Sequence, residues 1–255
     1  MDLTAYKKRG SYEDDWWAVH DALSAKGAQT ARMILEAVGS DPRARDQLSF
    51  VWLDIKNPDE CETHRACSIE ALRDLARELL QPHGIRVLYG FYDGAGSRPA
   101  LHLIRRSLND DEAISLNGYA FRARSQFDSL EPSLPVAKRV MDHGFFNLRL
   151  PRVLGKCASS NAFHRNVCSE LSKGADIRDY DHGIGKVFGW TVLHGQNDIV
   201  DVLLGTARVD GLIYGQMVRT YTDEPDTKAA ADSIIQWVER HAQTHRLATK
   251  NDKPW

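Results

Sequence analysis

Segments that read as buried strands alternate with segments that read as amphipathic helices through most of this chain, and that alternation restricts the fold more than any single motif does. Leu48 to Ile55 (LSFVWLDI) is an apolar run with a charge near its end, the pattern of a buried parallel strand whose C-terminal end opens into a site. A helix is expected next: Ser68 can cap it, Glu70 suits its first turn, and Ile69, Leu72, Leu75 and Leu79 recur at helical spacing until Pro82 and Gly84 stop it. Ile85 to Tyr92 reads as the following strand, and Glu112 to Leu116, Lys138 to Asp142, Lys186 to Val192 and Val209 to Tyr214 continue the series. Ile199 to Leu204 and Ala229 to His241 are the clearest later helices. No glycine-rich dinucleotide fingerprint follows the first strand, so the pattern predicts an α/β chain of the (β/α)8 TIM-type barrel class and not a doubly wound sheet. Met1 to Tyr6 brings the strands to seven, one short of a closed barrel, and the shortfall falls at the N-terminus.

The 255 residues suffice for one large domain, and with no repeat, low-complexity segment or linker the expectation is a single domain over residues 1–255. The 33 basic and 35 acidic residues balance to a net charge of -2, which supplies no field to gather nucleic acid. No apolar stretch is long enough to span a bilayer, and the first residues lack the pattern of a secretory signal. Cys61 with Cys67 and Cys157 with Cys168 are close pairs that suit local disulfides, one of three connectivities that four cysteines allow. Zinc is the competing reading, since His64 and His164 stand between the pairs, although neither spacing matches a common finger. Disulfides would require an oxidising compartment.

In a (β/α) barrel, charged residues at the C-terminal strand ends are the first candidates for chemistry. Asp2, Asp54 and Lys56 qualify: two carboxylates from neighbouring strand ends suit a hard ion such as Mg2+, and a lysine two residues on from one of them would face the same mouth and meet a phosphate. The plainer reading makes Asp54 a strand terminus and Lys56 a solvated loop residue. His20 in WWAVHDAL, beside Asp21, suits acid–base work, against the alternative of an ordinary loop histidine. Trp16 and Trp17 suit either a lipid interface or, more commonly for paired tryptophans, burial.

Several stretches, taken together, resemble one family. The tail Ala248-Thr249-Lys250-Asn251-Asp252-Lys253-Pro254-Trp255 is similar to the Ala-Thr-x-x-Asp-x-Pro-Trp signature of the sphingomyelinase D and phospholipase D enzymes of recluse-spider venoms, some actinobacteria and fungi. Met1 to Thr4 resembles the end of that family's Glu-x-Asp metal strand, and Ser49 to Asn57 the strand bearing a third metal carboxylate and a substrate lysine. Val187 to Val192 resembles the late strand whose tryptophan lines the pocket, and Val209 to Ile213 the last strand. The resemblance implies Asp2 and Asp54 as Mg2+ ligands, His20 as a catalytic histidine, and Lys56 and Trp190 as substrate-binding residues. It also implies a secreted, monomeric enzyme acting at a membrane surface on choline lipids, sphingomyelin or lysophosphatidylcholine. The substrate's own hydroxyl would be the nucleophile and a cyclic phosphate the product, formally a lyase reaction.

The departures are equally specific. The family's first histidine and first metal glutamate have no counterpart here, and the glutamate would fall immediately before Met1; the expectation is a barrel lacking its first strand and helix. Leu193 and Gly215 stand where venom relatives carry an aspartate and an asparagine. Two other readings follow from these gaps and from the shared barrel: a catalytically impaired lipid-binding remnant, and a glycerophosphodiester phosphodiesterase.

Overall fold

A computed structural model describes residues 1–255 except 8–12, 21–27, 93–97, 131–133, 147, 159–164 and 216–223. Asp21 and His164 therefore lie outside the described residues. The chain forms two compact units, one of residues 1–116, 126–134 and 249–255, the other of residues 117–125 and 135–248.

In the first unit β1 (Asp2–Tyr6) pairs antiparallel with β2 (Asp15–Trp17) and parallel with β3 (Phe50–Ile55), which pairs parallel with β4 (Arg86–Tyr92). Between them run α1 (Ala31–Ser40), α2 (Pro42–Gln47) and α3 (Ile69–Leu79), and α4 (Pro99–Ser107) and β5 (Glu112–Asn117) follow. The period of two sorts β3: Leu53 and Ile55 are buried in the core, so Trp52, Asp54 and Lys56 share the opposite face. Helix α3 begins as its spacing predicts, with the Ser68 hydroxyl accepting from the Ala71 N–H and Ile69, Leu72, Leu75 and Ala76 turned inward. Trp16 is fully buried and its indole N–H donates to the Ser68 carbonyl at 2.8 Å, so burial is its fate; Trp17 is half-buried.

The second unit holds α5 (Ala120–Asp128) in part, then β6 (Arg139–Gly144), α6 (Leu150–Val153), α7 (Val167–Asp176), β7 (Lys186–Val192), α8 (Asn197–Val200), β8 (Gly211–Tyr214) and α9 (Pro225–Arg240). Strands β6, β7 and β8 are parallel and in chain order. Each of the seven expected strands is present, and the fold is α/β with strand–helix units in the serial order of a (β/α)-barrel. The short antiparallel β2 was not expected, because three residues are too few to show a period. Helix α9 starts four residues before the expected Ala229, with Pro225 in its first turn, where a missing N–H costs nothing.

The cysteines pair as Cys61–Cys67 and Cys157–Cys168, which removes them as zinc ligands. Replacing Cys157 and Cys168 together with serine is expected to cost about 2 to 3 kcal/mol, as for a short closed loop. Urea unfolding with and without reductant measures it, and the variant should be indifferent to that disulfide's reduction.

The tail belongs to the first unit. The Thr249 N–H and hydroxyl both donate to Asp252 Oδ2 at 2.7 and 2.9 Å, which closes a turn. Lys250 Nζ donates to the His83 carbonyl, and the Trp255 ring meets Phe50, the first residue of β3, edge-on at 5.6 Å. The signature residues thus shape a turn that delivers a tryptophan to the N-terminal end of β3.

Glu112, fully buried, organises a polar cluster in the same unit. Arg77 donates to both its oxygens at 2.7 Å, and Tyr89 Oη, Gln81 Nε2 and the Asn109 N–H complete its acceptor sites. Burial first, and the Glu112 charge second, push the Tyr89 phenol well above its ordinary pKa. Glu112→Ala leaves Arg77 without a counter-ion and is expected to cost about 3 kcal/mol, at the lower end for a buried pair because the Arg77 side chain keeps 27% of its exposure. Equilibrium denaturation is the measurement.

Candidate active site

The register of β1 on β3 sets Asp2 directly beside Asp54, with Leu3 opposite Ile55. Lys56, two residues past Asp54, comes up on the same face, and its ammonium lies 3.0 Å from Asp2 Oδ1 and 2.7 Å from Asp54 Oδ2. The ammonium also donates to Tyr92 Oη at 2.7 Å, and the Tyr92 ring centroid is 4.9 Å from Nζ. The ammonium thus faces three oxygens, two of them hydrogen-bonded at 2.7 Å and the third, on Asp2, held as an ion pair. The Lys56 side chain is 11% exposed, against 43% for Asp2 and 36% for Asp54, so the cation is the most enclosed member of the cluster.

Neighbouring backbone holds these groups in place. The Asn57 amide accepts from the Ala5 N–H at 2.7 Å and donates to the Ala5 carbonyl at 2.8 Å, which extends the β1–β3 pairing past the strand end. Gly90, opposite Asp54, leaves room for Trp52: a Cβ there would come 2.5 Å from the indole nitrogen, so any larger residue displaces a side chain of this face.

The electrostatics split the two carboxyls. Burial pushes Asp2 up, but the Lys56 charge and hydrogen bond outweigh it and its pKa ends below the usual aspartate value. Burial dominates at Asp54, the Asp2 charge adds to it, and its pKa ends above that value although Lys56 works against the shift. Burial also opposes the Lys56 charge, yet the attraction of Asp54 and then Asp2 wins and its pKa rises. The cluster is thus built around one positive charge held by two acids from adjacent strands. An oxygen pair of this kind fits Mg2+, which is commonly held by one or two carboxylates with water and substrate phosphate completing its shell. Among the described residues no group of three or more His, Cys, Asp or Glu side chains comes together.

His20 is exposed, three residues past β2. Thr4, on the same face of β1 as Asp2, donates its hydroxyl to the Val19 carbonyl at 2.9 Å and lies 3.5 Å from that of His20, so the β1–β2 pairing returns the histidine's main chain to the strand that carries Asp2.

Trp190, on β7, belongs to the second unit. Its indole N–H donates to Asp142 Oδ1 at 3.0 Å, and the same oxygen accepts from Asn117 Nδ2 at 2.8 Å. Asp142 is buried at the end of β6, where Gly144 allows close approach: a Cβ on it would strike the Trp190 carbonyl. Sequence reasoning missed Asp142 and Tyr92. Asp142 carried a usable signal, the acid at a strand's C-terminal end that had singled out Asp54, whereas Tyr92 is an aromatic at a strand end and resembles core.

The whole chain, residues 1–255, matches the family described as Sphingomyelinase D/Phospholipase D. The chain is 42% identical over 246 residues to the Sphingomyelinase D of Uncinocarpus reesii, an overlap of 96% of this chain and 68% of that protein. It is 43% identical over 257 residues to that of Aspergillus flavus, covering 100% of this chain and 81% of the relative, and 35% identical over 256 residues to that of Arthroderma benhamiae, covering 100% and 70%. These matches run through the strands that bear Asp2, Asp54, Lys56 and Trp190 and on to the tail, and on them the chain belongs to the sphingomyelinase D/phospholipase D family of enzymes.

Proposed function

We propose that this protein is a Mg2+-dependent phospholipase D of the sphingomyelinase D type, which releases choline from sphingomyelin or lysophosphatidylcholine. The observation that carries the reading is the Lys56 ammonium between Asp2 and Asp54: two acids from adjacent strands are shaped to hold a cation, and a lysine stands beside them with donors suited to a phosphate. Asp2 and Asp54 would hold Mg2+, which when bound supplies charge neutralisation at the phosphodiester. Lys56 would bind a phosphate oxygen and Tyr92 would steady the lysine. Trp190, its ring oriented by Asp142, would form a wall for the lipid. In the reaction a substrate hydroxyl forms a new bond to phosphorus as the phosphorus–oxygen bond to choline breaks. The hydroxyl proton leaves to a base and one proton reaches the choline oxygen, giving a cyclic phosphate and choline; His20 would carry one of these transfers. The two disulfides favour an oxidising compartment and hence secretion.

Choline release from sphingomyelin, with Mg2+ and with EDTA, tests the proposal. Release that rises with Mg2+ and stops in EDTA is expected; release unaffected by EDTA, or faster turnover of glycerophosphocholine than of choline lipid, overturns it. A second reading, a chain that binds choline lipid without cleaving it, draws on the lack of a third metal-ligating side chain among the described residues. Binding of sphingomyelin without choline release at saturating Mg2+ would select it.

A further inference from the structure

The residues that follow β6 in the second unit carry a feature that the proposed chemistry does not use. Phe145, Phe146 and Leu148 are 38%, 56% and 55% exposed. Three large apolar side chains exposed within four consecutive positions mark a candidate interaction surface, unlike the same residues scattered singly. Arg149, Arg152 and Lys156 continue the segment, all three exposed, and no acidic residue occurs between positions 145 and 157. In a chain whose net charge is -2, a stretch of purely positive charge beside exposed aromatic rings is a local departure.

The backbone holds this segment at both ends. The Phe145 N–H donates to the Trp190 carbonyl at 3.0 Å and the Phe145 carbonyl accepts from the Thr191 N–H at 3.1 Å, so the apolar residues emerge beside the tryptophan of β7. The Cys157–Cys168 disulfide ties the far end to the first turn of α7. A surface fixed in this way loses little conformational freedom when it docks.

We propose that Phe145, Phe146, Leu148, Arg149, Arg152 and Lys156 form the surface by which this protein docks on membranes that contain anionic lipid. The apolar side chains enter the boundary between head groups and acyl chains, and the cations meet lipid phosphates and carboxylates. Charge complementarity selects this occupant: apolar groups alone would serve any interface, but three cations in the same stretch, with no acid among them, match a negatively charged lipid surface. The lipid-facing role open to Trp16 in the sequence passes to this segment, since Trp16 is buried.

The inference rests on the reading that the substrate is a lipid, and its test does not require turnover. Sedimentation of the 255-residue protein with phosphatidylcholine vesicles, with and without phosphatidylserine and always in EDTA, measures docking directly. Tighter partition onto the phosphatidylserine vesicles is expected, weakening with salt. Arg149→Ser combined with Arg152→Ser should lower that partition about 30-fold, the effect of two surface cations. Phe146→Ser with Leu148→Ser should lower it about 10-fold or more. Because all four side chains are exposed, the variants should keep the parent's unfolding midpoint. As a positive readout, the emission of Phe146→Trp should shift to the blue on vesicles.

Equal partition onto both vesicle types, partition indifferent to both pairs of substitutions, or an unshifted emission overturns the proposal. An emission shifted by an acidic peptide and not by vesicles overturns it in favour of a protein partner. Loss of choline release with partition intact would count against the enzyme reading alone. Intact release with partition independent of these residues would count against the docking surface alone.

Discussion

His20→Ala is expected to lower Mg2+-saturated choline release about 10²- to 10⁴-fold, the range typical for loss of one positioned acid or base. The side chain is exposed, so its removal leaves no cavity, and the main chain around it stays tied to β1 through the Thr4 hydroxyl and the Val19 carbonyl. The thermal midpoint should therefore hold while the rate falls, and the loss should appear in kcat and not in lipid binding. Steady-state rates paired with thermal denaturation make the check. Turnover retained within a few-fold would remove His20 from the chemistry and leave Asp2, Asp54 and Lys56 to be explained as a structural ion cluster.

Asp54→Asn should have an effect of similar size, on the order of 10³-fold in activity, because neutralising one of two carboxylates forfeits several kcal/mol of electrostatic support for a divalent ion. Its signature differs in that the Mg2+ concentration for half-maximal activity should rise together with the loss of rate. Stability should move the other way. Burial raises the Asp54 pKa in the folded protein, so its negative charge is a cost to folding at neutral pH, a cost that disappears as pH falls and the group takes up a proton. Asparagine removes that charge and keeps the shape, while Asp2 and Tyr92 still hold Lys56. The unfolding midpoint at pH 7 should stay level or rise. A variant that loses activity only because it unfolds would show the opposite, and thermal denaturation beside Mg2+ titration separates the two.

Under the proposed function Tyr92 would steady Lys56 in the first unit and Asp142 would orient Trp190 in the second, each acting through a neighbour. The Tyr92 hydroxyl oxygen accepts a hydrogen bond from the lysine, and Asp142 uses one oxygen to hold both Asn117 and the Trp190 indole. Neither role shows in a one-dimensional pattern, since each depends on which strand lies alongside. The fold itself was far more legible. An apolar run of six residues such as Phe50–Ile55 can be recognised because its burial is a property of its own composition, and helix α3 because its cap and its spacing both lie within the twelve residues Ser68 to Leu79. Strand β2 was not legible: Asp15–Trp17 becomes a strand only by pairing with Thr4–Tyr6 across a connection whose length says nothing of the pairing.

The amino-acid order alone determined that Asp54 and Lys56 share a face, because side chains alternate along any extended strand, and that Cys61 and Cys67 stand close enough to join. Only the tertiary structure decided that Asp2 stands beside Asp54, that Tyr92 meets the lysine between them, and that Trp16 goes to the core while Phe146 remains in water. These are matters of strand register and partner choice, set by hydrogen bonds and burial between residues distant in sequence, and no local rule of backbone geometry contains them.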